Sequence, residues 1–213
     1  MSFDVLAPHY RWMEWLSAGE KLQRCRTAFL DAIEPPAKVL IFGEGNGRFL
    51  AALLQRFPQA QVTSVDASQA MIDKARQRLG AAGATVEFIH ADALEWQPPG
   101  GTFDIVVTHF FLDCFREDQL RLLIPKIASA ASPRATWLLA DFKEADCGLR
   151  RWRSQLILRV MYVFFRLVTR LPARRLTKPD AMLAATGFER LQRSEYDWGM
   201  LHSDRWARRA GQY

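Results

Sequence analysis

The sequence predicts one α/β domain, a mostly parallel sheet with helices on both faces, in a chain of 213 residues. Three observations predict it. Short apolar, β-branched runs alternate with stretches of helical periodicity between residues 37 and 142. A glycine-rich turn, Gly43-Glu44-Gly45-Asn46-Gly47, follows the first apolar run. An acid, Asp66, ends the second run 19 residues after Gly47. The composition, 49% hydrophobic and 24% charged, is that of an ordinary globular domain and excludes fibrous and disordered classes.

Residues 1–36 read as a helical cap. Leu22, Cys25, Phe29, Leu30 and Ile33 keep helical spacing, and Gly19 separates two helices. His9-Tyr10-Arg11-Trp12 is a cluster of polar-tipped aromatics that either packs on the core or folds over a ligand. Met1-Ser2-Phe3-Asp4 lacks the basic start and apolar run of a signal peptide, so a cytoplasmic chain is expected. Three scattered cysteines, Cys25, Cys114 and Cys147, fit reduced thiols. They show no metal-ligand spacing with the four histidines, so no metal site is expected.

Residues 37–142 read as the ligand-binding core. Strands are expected near 38–42, 61–66, 84–89, 103–108 and 135–141, and helices near 46–57, 68–82 and 116–131. Pro125 predicts a kink or two short helices in the last of these. The glycine turn places a helix N-terminus at the carboxyl end of a strand, where open α/β sheets bind ligands. Arg48 stands where a dinucleotide fingerprint wants its third glycine, and no G-x-x-x-x-G-K-[ST] is present. Glu44 inside the turn disfavours a pyrophosphate and suits a cofactor bearing positive charge. Asp66 is placed to accept hydrogen bonds from ribose hydroxyls, with Ser68 capping the next helix.

Taken together, Val39-Leu40-x-x-Gly43-x-Gly45-x-Gly47, the acid Asp66, Ala91-Asp92-Ala93 and Phe103-Asp104-Ile105-Val106-Val107 resemble the class I S-adenosylmethionine-dependent methyltransferases. The resemblance covers residues 37–142 well. It implies a Rossmann-like, seven-stranded sheet whose last strand is antiparallel, and S-adenosylmethionine as cofactor, with S-adenosylhomocysteine as product. It implies Gly43, Gly45 and Gly47 around the methionine part, Asp66 on the ribose, and Asp92-Ala93 beside the adenine. Ala67, Met71 and His109 are expected to join them, with Tyr10 from the cap. The family usually carries an acid where Ile41 stands; Glu44 is the residue placed to compensate.

Thr108-His109-Phe110-Phe111-Leu112-Asp113-Cys114 leaves the fourth strand on the ligand side. Methyl transfer to a phenol or enol needs a positioned acceptor and a base. Asp113 and His109 are the catalytic candidates, with Asp141 behind them. Each also has a structural reading: Asp113 as a cap for the helix at 116, His109 bonded to backbone, Asp141 paired with an arginine.

Residues 143–178 form an apolar and basic insertion. Between Cys147 and Pro179 lie nine basic residues and no acid; without them the net charge of +6 becomes −3. The apolar stretch is too short and too often broken by arginine to span a bilayer. Residues 150–176 fit a lid over an apolar substrate, a core helix with arginines at its rim, or a peripheral contact with a membrane surface. Residues 179–213 read as a short helix, Asp180 to Thr186, and a hairpin turning at Asp197-Trp198. The function expected is methyl transfer to oxygen or carbon of a hydrophobic, aromatic small molecule: a quinone precursor, a phenolic lipid or a polyketide-like product. Two alternatives stand beside it. One is a nucleic-acid methyltransferase, disfavoured because the arginines interleave with apolar residues and no Asn/Asp-Pro-Pro-aromatic motif is present. The other is a non-catalytic protein of the same fold that binds the cofactor or a membrane.

Overall fold

The computed structural model describes residues 19–144, 148, 151–159 and 177–209. Tyr10, the 9–12 aromatic cluster, Cys147 and residues 160–176 of the insertion lie outside the described residues.

Seven strands form one sheet: β1 Lys38–Phe42, β2 Gln61–Asp66, β3 Val86–His90, β4 Phe103–His109, β5 Ala131–Phe142, β6 Phe188–Tyr196 and β7 Leu201–Arg208. Their order is β3-β2-β1-β4-β5-β7-β6, with β7 antiparallel to both its neighbours. The order reverses at β1, and this switch point opens the crevice used by ligands in such sheets.

β1 shows why the apolar runs are continuous. Val39 and Ile41 pack on one face with Leu50, Leu53, Val62, Ile105 and Val107. Leu40 and Phe42 pack on the other with Val106, Leu120, Ile124 and Trp137. Both faces are covered, so alternate residues are equally buried and no polar period survives. A buried polar pair on the second face is satisfied: Trp137 Nε1 donates to Thr108 Oγ1 at 2.8 Å.

The helices are α1 Gly19–Thr27, α2 Arg48–Arg56, α3 Gln69–Leu79, α4 Glu117–Ala130, α5 at residues 151–159 and α6 Asp180–Ala185. The turns of α1 bury Leu22 and Cys25 against Ala140 and Leu201, and the Cys25 thiol donates to the His202 carbonyl at 3.2 Å. α4 is one helix with Pro125 inside it, not two short ones. Gln119 Oε1 accepts from the Arg116 amide at 3.0 Å and starts it. α5 buries Ser154 and Leu158 and exposes Trp152 and Leu156. Its Arg153 lies over the Trp198 ring at the hairpin turn, 5.5 Å from the centroid.

β6 is the outer strand. Glu189, Arg190, Leu191 and Gln192 are exposed along it, and its register with β7 shifts between Arg190 and Gln192. Arg193 pins it to the buried Asp204 of β7 by two bonds of 2.7 and 2.6 Å.

Candidate functional site

The carboxyl ends of β1 to β5 meet on one edge, and every sequence-predicted site residue within the described part lies there. The loop after β1 holds positive φ at Gly43 (64°), Gly45 (71°) and Gly47 (80°). A Cβ at Gly43 would stand 2.6 Å from Phe111 Cδ2, and one at Gly47 would stand 2.9 Å from Ala75 Cα. Gly47 therefore lets α2 meet α3, the job of a third fingerprint glycine, although the spacing differs. The Gly43 amide donates to the Val65 carbonyl at 2.9 Å, tying the loop to β2.

Asp66 completes that tie. Its Oδ2 accepts from the Gly45 amide at 3.2 Å and its Oδ1 from the Ser68 amide at 2.9 Å. Ser68 Oγ accepts from the Met71 amide at 3.3 Å and caps α3, so cap and acid are separate residues. The Ala91 amide donates to the Asp66 carbonyl at 3.1 Å, bringing Ala91-Asp92-Ala93 alongside. Asp92 Oδ1 accepts from the Leu94 amide at 2.9 Å. Asp66, Ala67 and Asp92 are half-buried at this edge, whereas Met71 and Ala93 are buried. Trp96, which sequence reasoning missed, meets Phe42 edge-on with centroids 5.9 Å apart.

Glu44 turns away from open solvent. Its Oε1 accepts from the Leu50 amide at 3.0 Å, and the Phe49 amide bonds the same carboxyl. The physical reason lies next door: Gly47, at the N-cap of α2, has no side chain to satisfy the first-turn amides. Burial raises the Glu44 carboxyl to about 7 from 4.5, against the pull of these amides and of Arg26. Arg26 of α1 is buried, with its guanidinium 5.0 Å from the centroid of Phe110. Its type gave no signal in the sequence, where an arginine in an amphipathic helix reads as solvated.

His109 ends β4 with 6% of its surface exposed, and its ring meets Phe49 edge-on at 4.5 Å. Neither ring nitrogen has a hydrogen-bond partner among the described residues. Burial, and then the charge of Arg26, hold the imidazole well below its ordinary range, so it is neutral at pH 7. Phe110 follows in the left-handed region at φ 52°, an uncommon conformation for a large side chain. That turn lays Phe111 over the glycine loop, stacked on Phe42 at 5.6 Å. Phe115 is buried and belongs to the core, as does the far side of Phe111.

Asp113 does not cap α4. Its amide donates to Asp141 Oδ2 at 3.2 Å, and its own Oδ1 lies 3.6 Å from Cys114 Sγ. Asp141 Oδ1 accepts from the Phe142 amide at 2.8 Å, with no arginine bonded to it among the described residues. Burial raises the Asp113 carboxyl; burial and then the charge of Asp113 raise Asp141 further. The pair therefore favours holding a proton at neutral pH. Burial also pushes the Cys25 thiol up to about 12 and raises Cys114, so neither is a thiolate nucleophile.

A family model described as a methyltransferase domain matches residues 39–134. The chain is similar to a demethylmenaquinone methyltransferase of Thermus thermophilus, 36% identical over 110 residues, covering 51% of this chain and 50% of that one. It is similar to the demethylmenaquinone methyltransferase of Deinococcus radiodurans, 34% identical over 149 residues, covering 69% of this chain and 61% of that one. The chain thus spans about half to three-fifths of the length of these curated relatives. Among solved structures, the mitomycin 7-O-methyltransferase MmcR matches with a TM-score of 0.72 at 21% identity, covering 98% of this chain and 61% of that one.

Proposed function

Since the chain belongs to the class I S-adenosylmethionine-dependent methyltransferase family, we propose that it moves a methyl group from S-adenosylmethionine to oxygen or carbon of an apolar, aromatic small molecule. The observation that carries this reading is the Asp113–Asp141 pair at the ends of β4 and β5. It stands on the same edge as the glycine loop, next to the aromatic rings of Phe110 and Phe142, whose centroids are 5.1 Å apart. Quinone precursors, phenolic lipids and polyketide-like products share that chemistry: a flat apolar body and one acidic hydroxyl or enol. The demethylmenaquinone named in two relatives is of this class.

The residues present fit the donor. The loop holds positive φ at all three glycines, between 64° and 80°, a backbone free of side chains whose amides a ligand can approach closely. When bound, S-adenosylmethionine supplies an electrophilic methyl group on a sulfonium. The chain does the rest. Asp66, bonded to the Gly45 and Ser68 amides, accepts from ribose hydroxyls. Ala91 to Ala93, with Ala67, border the adenine. Asp141 fixes the backbone of Asp113, and Asp113 takes the acceptor's proton; a carboxyl raised toward neutrality is suited to that task. Apolar walls exclude water and hold the nucleophile in line.

No helix among the described residues is long and apolar enough to cross a membrane. Exposed Trp152 and Leu156, beside Arg151 and Arg159, support contact of α5 with the membrane surface where such acceptors dissolve. A second reading, a protein that binds the donor without turnover, draws on Ile41, an apolar residue buried in the core at the position where the family usually carries an acid. Transfer of a labelled methyl group to a panel of quinols, phenols and enolic polyketides separates the two. Label in an extractable product supports the first; donor binding with no transfer across the panel supports the second.

A further inference from the structure

We propose that His109 and Arg26 hold the amino-acid arm of the donor, the His109 ring accepting a hydrogen bond from its α-ammonium and Arg26 facing its α-carboxylate. This rests on the donor reading above and adds which groups of this chain grip that arm. Four observations lead to it.

The first is register. Ile41 pairs with Val107 and Phe42 with Thr108, so the next step sets His109 beside Gly43, at the start of the glycine loop. Ile41 and Val107 share one face of the sheet, and His109, two residues beyond Val107, points to the same face. The second is an unmade bond. His109 is 94% buried by its 6% exposure, and both its ring nitrogens lack partners among the described residues. A buried polar atom left so is costly, and a polar ligand group would recover that cost. A neutral ring offers one lone pair, the group an ammonium needs.

The third is that neither Ile41 nor Glu44 offers a carboxylate to the ammonium. Ile41 is packed in the core, and the Glu44 carboxyl is engaged with the first turn of α2. The fourth is charge. Arg26 is a buried cation whose field reaches both Glu44 and His109. A carboxylate entering beside it meets a cation in a low-dielectric place, where charge-assisted bonds are strong. Together the two side chains present an acceptor and a cation to a group that carries an ammonium and a carboxylate.

Calorimetry with two nucleosides tests this. S-adenosylhomocysteine has the arm; 5′-methylthioadenosine lacks it. The wild type is expected to bind the first at least tenfold more tightly than the second. His109→Phe and Arg26→Met are each expected to lower S-adenosylhomocysteine affinity by about tenfold, the scale of a charge-assisted hydrogen bond. Both should leave 5′-methylthioadenosine affinity within about twofold, and His109→Gln, which keeps an acceptor, should restore most of the loss. Equal losses for both nucleosides would mean a scaffolding role and overturn the proposal. So would equal wild-type affinity for both, with the donor reading left standing. Binding of neither by folded wild type would sink the donor reading itself. Should a variant not fold, deaminated and decarboxylated analogues of S-adenosylhomocysteine make the same comparison on the wild type: affinity unchanged by either deletion would refute the assignment.

Discussion

Replacing Glu44 by glutamine should make the unliganded protein more stable above neutral pH, although it removes a residue from the middle of the site. The Glu44 carboxyl is raised to about 7 in the fold from an ordinary 4.5, chiefly by burial. Below pH 4.5 it is protonated both folded and unfolded and contributes no pH dependence. Between 4.5 and 7 the folded state binds more protons than the unfolded, so stability falls as pH rises. Above 7 the loss levels off. At 1.36 kcal/mol for each unit of pKa, it amounts to about 3 kcal/mol. Glutamine keeps an oxygen for the Leu50 amide and carries no charge to desolvate, so it escapes this loss. The Asp113–Asp141 pair is common to both proteins and cancels in the difference. Urea unfolding at pH 5, 6, 7 and 8 measures it. The variant's advantage should grow across that range, ending with a midpoint higher by roughly 1 M urea. A difference that stays constant with pH, or a variant that loses ground as pH rises, would refute the burial argument.

Gly47→Ala should destabilise by about 2–4 kcal/mol, since an alanine at φ 80° is strained and its Cβ would press on the Ala75 backbone at 2.9 Å; a denaturant midpoint unchanged within error would contradict the close approach of α2 and α3. Asp66→Ala should weaken S-adenosylhomocysteine binding tenfold or more, read by calorimetry on a variant shown to be folded; unchanged affinity would remove Asp66 from the donor's ribose. In the wild type, methyl transfer should rise with pH through about 6 as Asp113 ionises. Asp113→Asn should flatten that limb and lower turnover by about a hundredfold, with little change in donor affinity; a variant with the wild-type pH profile would count against a base there.

The parallel core was readable because both faces of β1 and β4 are buried, which leaves apolar runs, while β1 is followed by glycine and the shorter apolar signal of β2 ends in an acid. β5 was less so. It begins at Ala131, not 135, because Ala131 pairs with Phe103 across a register shift. Ser132, Pro133 and Arg134 carry no strand signal of their own; pairing makes them strand. At β3 the expected start at 84 gave way to a 3-10 turn, Gly80–Thr85, whose small residues bury no side chain against the core. Pro125 predicted a break in α4, but tertiary packing of Leu120, Leu123, Ile124 and Ile127 holds one helix through it. The site followed the same division. Gly43, Gly45, Gly47 and Asp66 were legible because local backbone geometry demands their residue types at their spacing. The direction of the Glu44 carboxyl, the orphaned ring of His109 and the burial of Arg26 depend on what α1 and α2 lay over the sheet, and no local spacing encodes that.

The outer strand β6 bears on how copies of this protein meet. A free strand edge is a template on which another chain can add by backbone pairing. Here the edge offers Glu189 and Arg190 side by side, then breaks step with its partner before Gln192. An incoming strand would have to desolvate charge of both signs and match a backbone whose repeat is interrupted. The exposed Leu191 therefore stands as an isolated apolar residue on a surface unfit for edge-to-edge growth. Among the described residues, this edge is therefore poorly suited to backbone pairing with a second copy.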